Sequence, residues 1–214
     1  MPYHRPLKMA EPPSPEILVP IFEKAIKSLV QRFRNHPYAF YTENDMHCYL
    51  YHRLYSGGIV NGLYPTAEDH DTILLHKEYP TFAKYLKTDD GMLKESVEGR
   101  RRGAFDISIW DPRFIATREH RKQKVLCAAE LALNECGTRS VHTLNDLTKL
   151  AGPTNEIRYG YLLFFVRDNR DFKRNEGNIR KNLEDAATRV RVAFAQVEGK
   201  SKPKPEFLGA WGAV

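Results

Sequence analysis

The sequence predicts an α/β fold in which a mixed central sheet is flanked by helices. The clearest strand covers residues 104–110, where apolar residues alternate with small or polar ones. Residues 124–134 alternate in the same way, and residues 158–167 form a near-continuous apolar run that is typical of a buried strand. Apolar residues at helical spacing precede, separate and follow these segments, which places helices around the sheet.

The first helix is expected to begin at Ser14 and Pro15, because Ser is favoured as an N-cap and Pro is favoured in the first turn. Apolar residues at 17–33 follow at broadly helical spacing. A His-Pro pair at 36–37 ends the helix, since the residue before a proline avoids the helical region.

A second helix is expected to begin after Thr42. Thr42 can cap the helix, and Asp45 stands three residues later as the partner in a capping box. Met46, Leu50 and Leu54 form its apolar stripe, and a pair of glycines stops it.

The strand that follows is predicted over residues 72–79 and is expected to end at Pro80. Residues 81–99 are ambiguous, because their apolar residues also fit a short helix and Asp-Asp-Gly at 89–91 is a turn signal. A charged loop then separates the strand at 104–110 from the next one.

The C-terminal half is predicted to contain a helix at 141–151, the strand at 158–167 and a long last helix at 171–197. The three strands before residue 141 have short connections and can pair as antiparallel neighbours. The strand–helix–strand unit at 124–167 can make a parallel crossover.

The chain contains 214 residues, which favours one domain over two. No internal repeat or break in composition marks a second domain. We therefore expect a flexible, proline-rich arm at 1–13, a single domain at 14–200 and a polar tail at 201–214.

Composition excludes several classes of protein. Hydrophobic residues make up 42% and charged residues 28%, which is incompatible with a mainly disordered chain. The longest charge-free apolar run, at 159–166, is far shorter than the roughly 20 residues that cross a bilayer. The N-terminal residues lack the apolar segment of a secretory signal.

Cys48, Cys127 and Cys136 are widely spaced and form no CxxC pair, which excludes a disulfide framework and a cysteine-based zinc site. We expect buried or partly buried free thiols, which are typical of a reducing compartment, and therefore a cytoplasmic protein without a membrane partner. The histidines form no HxxxH or HExxH pair, and local spacing does not support a histidine-rich metal cluster.

The net charge of +6 suits a polyanionic partner, although a modest excess is weak evidence by itself. Three consecutive arginines, Arg100, Arg101 and Arg102, concentrate that charge. Such a run is usually a solvated loop. Beside a metal site it would suit contacts to phosphate, because guanidinium groups bind phosphate in a bidentate manner.

Two acids interrupt the strand patterns, Asp106 in the strand at 104–110 and Glu130 in the strand at 124–134. A buried charge without a partner is costly. If the two strands are antiparallel neighbours, the two carboxylates can lie side by side and would suit Mg²⁺, which prefers oxygen ligands. The alternative is that each acid faces solvent on a half-exposed sheet.

Glu43 is a third candidate. It lies three residues before Met46 and seven before Leu50, and therefore falls on the apolar face of the second helix. The alternative is a surface acid that stabilises the helix dipole.

These residues resemble the PD-(D/E)XK nuclease superfamily over roughly residues 40–168. The resemblance rests on Glu43 and on four segments, RRRGAFDISIWD, VLCAAELALN, HTLNDLTKL and YGYLLFFVRD. It implies a restriction-endonuclease-like α–β–β–β–α–β core, with further helices at both ends. It also implies that Asp106, Glu130 and Glu43 are catalytic residues that bind Mg²⁺ or Mn²⁺, that the partner is nucleic acid with DNA favoured, and that a homodimer can form.

The sequence departs from the motif at Ala132, where the superfamily places a lysine two residues after the acid. That lysine helps to activate water and to offset charge in the transition state. Lys77 and Lys149 are the candidates for a relocated lysine, and the alternative for each is an ordinary solvated side chain.

Three functions therefore stay open. The first is a metal-dependent endo- or exonuclease. The second is a catalytically silent relative that binds nucleic acid or a protein, because Ala132 cannot replace the lysine. The third is an α/β domain in which the acids are structural. The sequence leaves enzymatic activity undecided.

Overall fold

A seven-stranded mixed sheet forms the centre of the computed structural model, which describes residues 11–99, 101–119, 123–133, 141–167, 169–197 and 205–211. The α-helices in these ranges are α1 Pro15–Asn35, α2 Glu43–Tyr55, α3 Val141–Ala151 and α4 Asn169–Ala187. The strands are β1 Tyr64–Pro65, β2 Asp71–Thr72, β3 Leu75–Lys87, β4 Leu93–Glu95, β5 Arg101–Trp110, β6 Val125–Leu133, β7 Ile157–Val166, β8 Arg191–Gln196 and β9 Glu206–Leu208. Short 3₁₀ turns cover Pro37–Ala39, Pro112–Phe114 and Pro153–Asn155.

The strand order in the sheet is β4-β3-β5-β6-β7-β8-β9, and β1 pairs with β2 separately. Strands β3, β5 and β6 form an antiparallel meander. Strand β7 runs parallel to β6 after the crossover through α3, and β8 runs parallel to β7. The predicted mixed α/β class, with helices around a central sheet, is confirmed.

Helices cover both faces of the sheet. On one face Phe22 of α1 packs on Tyr161 with ring centroids 5.1 Å apart, and Phe33 packs on Phe165 at 4.9 Å. Helix α2 packs beside α1. Because alternate residues of a strand point to opposite faces, Gly160 belongs to the other face.

That second face is closed by α3 and α4. A Cβ placed on Gly160 would lie 3.3 Å from the Cβ atom of Leu150 in α3 and 3.0 Å from Cγ1 of Val190, which follows α4. A larger residue here would require both side chains to shift slightly, because they approach the β7 backbone closely. The guanidinium of Arg180 in α4 also lies over the ring of Phe194, 5.3 Å from its centroid.

The start of α2 has the predicted capping box. The backbone N–H of Asp45 donates to Oγ1 of Thr42 at 3.3 Å, and the Thr42 N–H donates to Oδ2 of Asp45 at 2.7 Å. The two bonds satisfy amide groups that the first helical turn would otherwise leave unpaired. This cap fixes the start of the helix that carries Glu43.

The predicted end of the first strand at Pro80 is wrong, because β3 continues to Lys87. The pairing of β3 with β5 shifts register between Pro80 and Lys84. A proline has no N–H to donate, and an irregular stretch of the ladder is where a strand tolerates it. The ambiguous residues after 80 are therefore strand at first, and the short helix considered for them is not formed.

The predicted helix at 171–197 is also wrong beyond Ala187. Residues Arg191–Gln196 form β8, which pairs with β7. Residues 192–196 are all buried, so neither a helical nor an alternating pattern marks this segment. The sheet provides parallel pairing and full burial, and this tertiary environment selects the strand.

The predicted polar tail at 201–214 contains β9, which pairs antiparallel with β8. Trp211 follows this strand and packs against Tyr161, with ring centroids 5.4 Å apart. This end of the chain therefore completes the sheet rather than leaving it. Residues 1–10 of the predicted arm lie outside the described residues.

Two of the three cysteines lie in the described residues. Cys48 and Cys127 are both free thiols, as predicted. Cys127 is buried, but Cys48 is exposed, so the expectation of a buried or partly buried thiol is wrong for Cys48. Cys136 lies outside the described ranges. Among the helices that the structure describes, none is long and apolar enough to cross a membrane.

Candidate functional site

Three acids form a row across three neighbouring strands. Glu78 and Asp106 lie between the paired residues Lys77–Ile107 and Tyr79–Phe105 of β3 and β5. Asp106 and Glu130 each come one residue past the last pair of β5 with β6, Ile107 with Ala129, so the same register extended by one residue sets them opposite each other. Directly opposed residues in antiparallel strands have side chains close together. Asp106 and Glu130 thus lie on adjacent antiparallel strands, as the predicted magnesium site requires.

Strands β5 and β6 diverge at this row. The last pair of the two strands toward the acids is Ile107 with Ala129. After Ala129, two amides of β6 donate to side-chain oxygens instead of to the backbone of β5. The N–H of Leu131 donates to Oδ2 of Asp106 at 2.8 Å, and the N–H of Leu133 donates to Oε2 of Glu43 at 3.4 Å. Two acids thus satisfy the amides of the opened ladder, which fixes the positions of their carboxylates.

His47 of α2 points into the same opening. It follows Glu43 by one helical turn, and its Nε2 lies 3.3 Å from Oδ2 of Asp106 and 3.8 Å from Oε1 of Glu43. The side chain is only 8% exposed, yet Nε2 makes no contact with hydrogen-bond geometry. A buried imidazole nitrogen without a well-formed hydrogen bond is suited to ligate a cation.

Glu78 completes the group on β3. Its backbone φ of 54° lies in the left-handed region, which is uncommon for a residue other than glycine. One ligand atom from each of His47, Glu78 and Asp106 lies within 4.8 Å of the other two. This cluster could hold a metal ion, with Glu78 exposed, Asp106 half-buried and His47 buried.

Glu130 has a different partner. It is 1% exposed, and its Oε1 lies 2.8 Å from Nζ of Lys149 on α3. The same Nζ lies 2.9 Å from Oδ1 of Asp146 and donates to the carbonyl oxygen of Ala104 at 3.1 Å. The ammonium group is therefore held between two carboxylates beside the acid row.

The two strand acids differ in pKa. Burial opposes ionisation of Asp106, but the nearby His47, the Leu131 N–H and Lys149 outweigh it and hold the Asp106 pKa below its usual value. Burial raises the pKa of Glu130 well above its usual value, and the carboxylates of Asp146 and Asp106 add to this rise against the effect of Lys149. Asp106 therefore loses its proton at a lower pH than Glu130 does.

The pKa of Lys149 is raised. Burial lowers it, and the opposite charges of Glu130 and Asp146 more than reverse that effect. Lys149 accordingly stays protonated and supplies a fixed positive charge on the α3 side of the acid row.

The remaining candidates from the sequence are Lys77, Ala132 and the arginine run at 100–102. Lys77 is exposed, and its Nζ donates to Oδ1 of Asn44 on α2 at 2.7 Å. Ala132 is buried within β6. Arg102 is exposed on β5, whereas Arg100 and the side chain of Arg101 lie outside the described part of the structure.

Sequence reasoning did not select His47 or Glu78. A usable signal existed for His47, because residues four apart on a helix share a face and Glu43 was already a candidate. His47 lies beside acids that are distant from it in sequence, and a local histidine pair does not mark such a position. Glu78 becomes visible only when the register of β3 against β5 is known.

Comparisons of this chain with protein-family models, with curated proteins and with solved structures give no match.

Proposed function

We propose that this protein is a metal-dependent nuclease of the PD-(D/E)XK type that hydrolyses phosphodiester bonds in nucleic acid, with DNA favoured. The observation that carries the proposal is the row of Glu78, Asp106 and Glu130 across neighbouring strands, with Lys149 against the last of them. Acids with a lysine beside them match the groups that metal-assisted phosphodiester hydrolysis requires.

The order of elements supports the same proposal. Helix α2 precedes the antiparallel meander of β3, β5 and β6, and α3 then leads to β7, which is parallel to β6. This α–β–β–β–α–β order agrees with the restriction-endonuclease-like core that the sequence resemblance implies. Helix α1 would be the additional N-terminal helix and α4 the additional C-terminal one.

In this proposal Asp106 and Glu130 are the metal ligands, and Glu43 assists from α2. His47 and Glu78 join Asp106 as further ligands, since their donor atoms fit one cation. Carboxylates suit Mg²⁺ and Mn²⁺, and imidazole suits transition metals. When bound, such a cation would lower the pKa of water and offset phosphate charge.

Lys149 would take the place of the lysine that Ala132 lacks. It comes from α3 rather than from β6, and its Nζ reaches Glu130. Its fixed positive charge would stabilise negative charge that develops on a phosphate group beside the acid row. Lys77 is the weaker candidate, because its ammonium group is held by Asn44.

The test is cleavage of plasmid and of single-stranded DNA with Mg²⁺ or Mn²⁺. We expect Asp106→Asn to reduce cleavage by at least about 100-fold, because the change removes a charged ligand. Asp185→Asn is the matched control, since Asp185 is exposed on α4, and it should cleave at the wild-type rate. Equal cleavage by wild type and Asp106→Asn would refute the proposal.

One observation favours a second candidate, a silent relative that binds nucleic acid. Glu130 and Asp146 already neutralise Lys149, so its charge is committed within the protein. This candidate predicts binding that weakens steeply with salt, without cleavage by any variant. A structural role for the acids instead predicts that neither metal raises the Tm of the wild type, since a ligand that binds only the native state must raise it.

A cytoplasmic location and a homodimer remain predictions.

A further inference from the structure

A small cavity lies at the amino-terminal ends of β7 and β8, outside the acid row. A cavity of about 240 Å³ opens there between the two strands and the turn that follows α4. Typical pockets for drug-sized ligands begin at about 300 Å³, so this cavity suits a smaller group. The residues of its lining that carry the argument are Arg158, Tyr159, Arg189 and Arg191.

Arg191 is fixed in place from several sides. Its Nη1 donates to the hydroxyl of Tyr161 at 2.7 Å and lies 3.2 Å from Oε1 of the buried Glu23. Its Nε donates to the carbonyl oxygen of Ala210, and its guanidinium lies 4.4 Å from the ring centroid of Tyr159. Glu23 balances this charge, so Arg191 forms a rigid and nearly neutral wall.

Arg158 and Arg189 are different, because both are exposed. Arg158 lies over the ring of Tyr159, with its guanidinium carbon 5.3 Å from the centroid. Within the described ranges, no carboxylate lies within ion-pair distance of either guanidinium, and no residue that lines the cavity is acidic. Two positive charges therefore face a small concave space with no acid in its lining, and the exposed Glu16 is close enough to Arg158 for the two charges to interact.

We propose that this cavity binds a phosphate group. A phosphate monoester carries about −1.5 to −2 charges at pH 7, which complements two guanidinium groups that make no ion pair within the described residues. Guanidinium binds phosphate oxygens through two parallel hydrogen bonds, so two arginines can hold the group from two sides. The small volume favours the phosphate itself over a large attached molecule inside the cavity.

The cavity lies close to the acid row along strand β7. Glu130 lies beside Leu162 of β7, two residues after Gly160, which lines the cavity. Two residues of a strand span about 7 Å. A phosphate in the cavity could therefore be inorganic phosphate or the terminal phosphate of an oligonucleotide that extends toward the acids.

The first experiment measures the Tm of the full chain in sodium phosphate and in sodium chloride of equal ionic strength. We expect a saturable rise in Tm with phosphate, and at least about tenfold weaker binding in the Arg158→Gln, Arg189→Gln double variant. The matched control is Arg32→Gln, Arg53→Gln, which removes the same charge from exposed positions on α1 and α2. It should bind phosphate as the wild type does.

The absence of a phosphate-specific rise in the wild type would overturn the proposal, as would equal weakening in both double variants. Tm values in chloride alone check that the variants fold. Because the cavity shares no residue with the acid row, Asp106→Asn should keep phosphate binding, which separates this proposal from the nuclease proposal.

The second experiment identifies the source of the phosphate. Oligothymidylate with a 5′-phosphate and the same oligomer without it are compared with inorganic phosphate. Tighter arginine-dependent binding of the phosphorylated oligomer would assign the cavity to a nucleic-acid end, and equal binding of inorganic phosphate would assign it to the free group. Equal arginine-dependent binding of both oligomers would contradict a site for a phosphate monoester.

Discussion

At the residue scale, Glu78 holds an unfavourable backbone conformation at the place where its carboxylate joins Asp106 and His47. A left-handed φ at a residue other than glycine costs about 1–3 kcal/mol and persists where the surrounding structure enforces it. Strain of this kind is common at binding sites. The acid row thus combines a strained backbone, a buried imidazole and an opened strand pair at one point.

Glu78→Gly tests this interpretation. Glycine adopts φ of 54° without a steric penalty, so we expect the metal-free variant to be more stable than the wild type by about 1 kcal/mol. It should also lose most of any Mn²⁺-dependent rise in Tm, because a ligand is removed. Thermal unfolding with and without Mn²⁺ measures both effects.

Lys77→Gly is the matched control on the same strand. Its φ is not positive, so glycine there should destabilise the protein by about 0.5–1 kcal/mol. A loss of stability in Glu78→Gly equal to that in Lys77→Gly would show that the left-handed conformation stores no strain.

At the scale of single elements, the capping box shows how local sequence fixes one side of the site. The capped start of α2 places Glu43 in its first turn and His47 one turn later. Other elements depended on their neighbours. Residues 191–196 became a strand through pairing with β7, and β3 passed Pro80 through an irregular stretch of its ladder.

Asp45→Ala should make α2 less stable in a pH-dependent way. Hydrogen bonds from the backbone of Thr42 and Tyr41 hold the pKa of Asp45 below its usual value of 3.8. A lowered pKa stabilises the folded state above the unfolded-state pKa, and this contribution disappears as pH falls through the folded-state pKa. We therefore expect a lower Tm than wild type at pH 7 and a difference that closes below pH of about 4.

Thermal unfolding of both proteins from pH 7 to pH 2 measures this effect. Asp185→Asn, on the exposed side of α4, should show no such closing difference. A gap between Asp45→Ala and wild type that stays constant through pH 4 to 2 would exclude the carboxylate as its cause.

At the scale of the whole molecule, the C-terminal residues complete the sheet. Strand β9 covers the edge of β8, and Trp211 packs on Tyr161 beside the buried Glu23. An uncovered strand edge presents unpaired amides and carbonyls that can pair with another chain. This end of the chain therefore protects the sheet edge next to the arginine-lined cavity.

Removal of residues 201–214 should lower the Tm and promote self-association, because it exposes the β8 edge and uncovers Tyr161. Thermal unfolding and light scattering of the truncated and full chains measure both effects. If residues 201–214 were only a polar linker, as their composition suggests, their removal would change neither the Tm nor self-association. The single substitution Trp211→Ala separates the two causes, since it should lower the Tm while β9 still covers the edge.

Local sequence determined the helix starts, the strands at β5 and β6, and the two acids that these strands carry. These features follow from capping groups, alternation and the cost of burying charge, which act over a few residues. Tertiary structure alone decided that Glu78 faces Asp106, that His47 reaches both, and that Lys149 pairs with Glu130. It also decided that residues 191–196 form a strand, because register, burial and ion pairing depend on residues far apart in the chain.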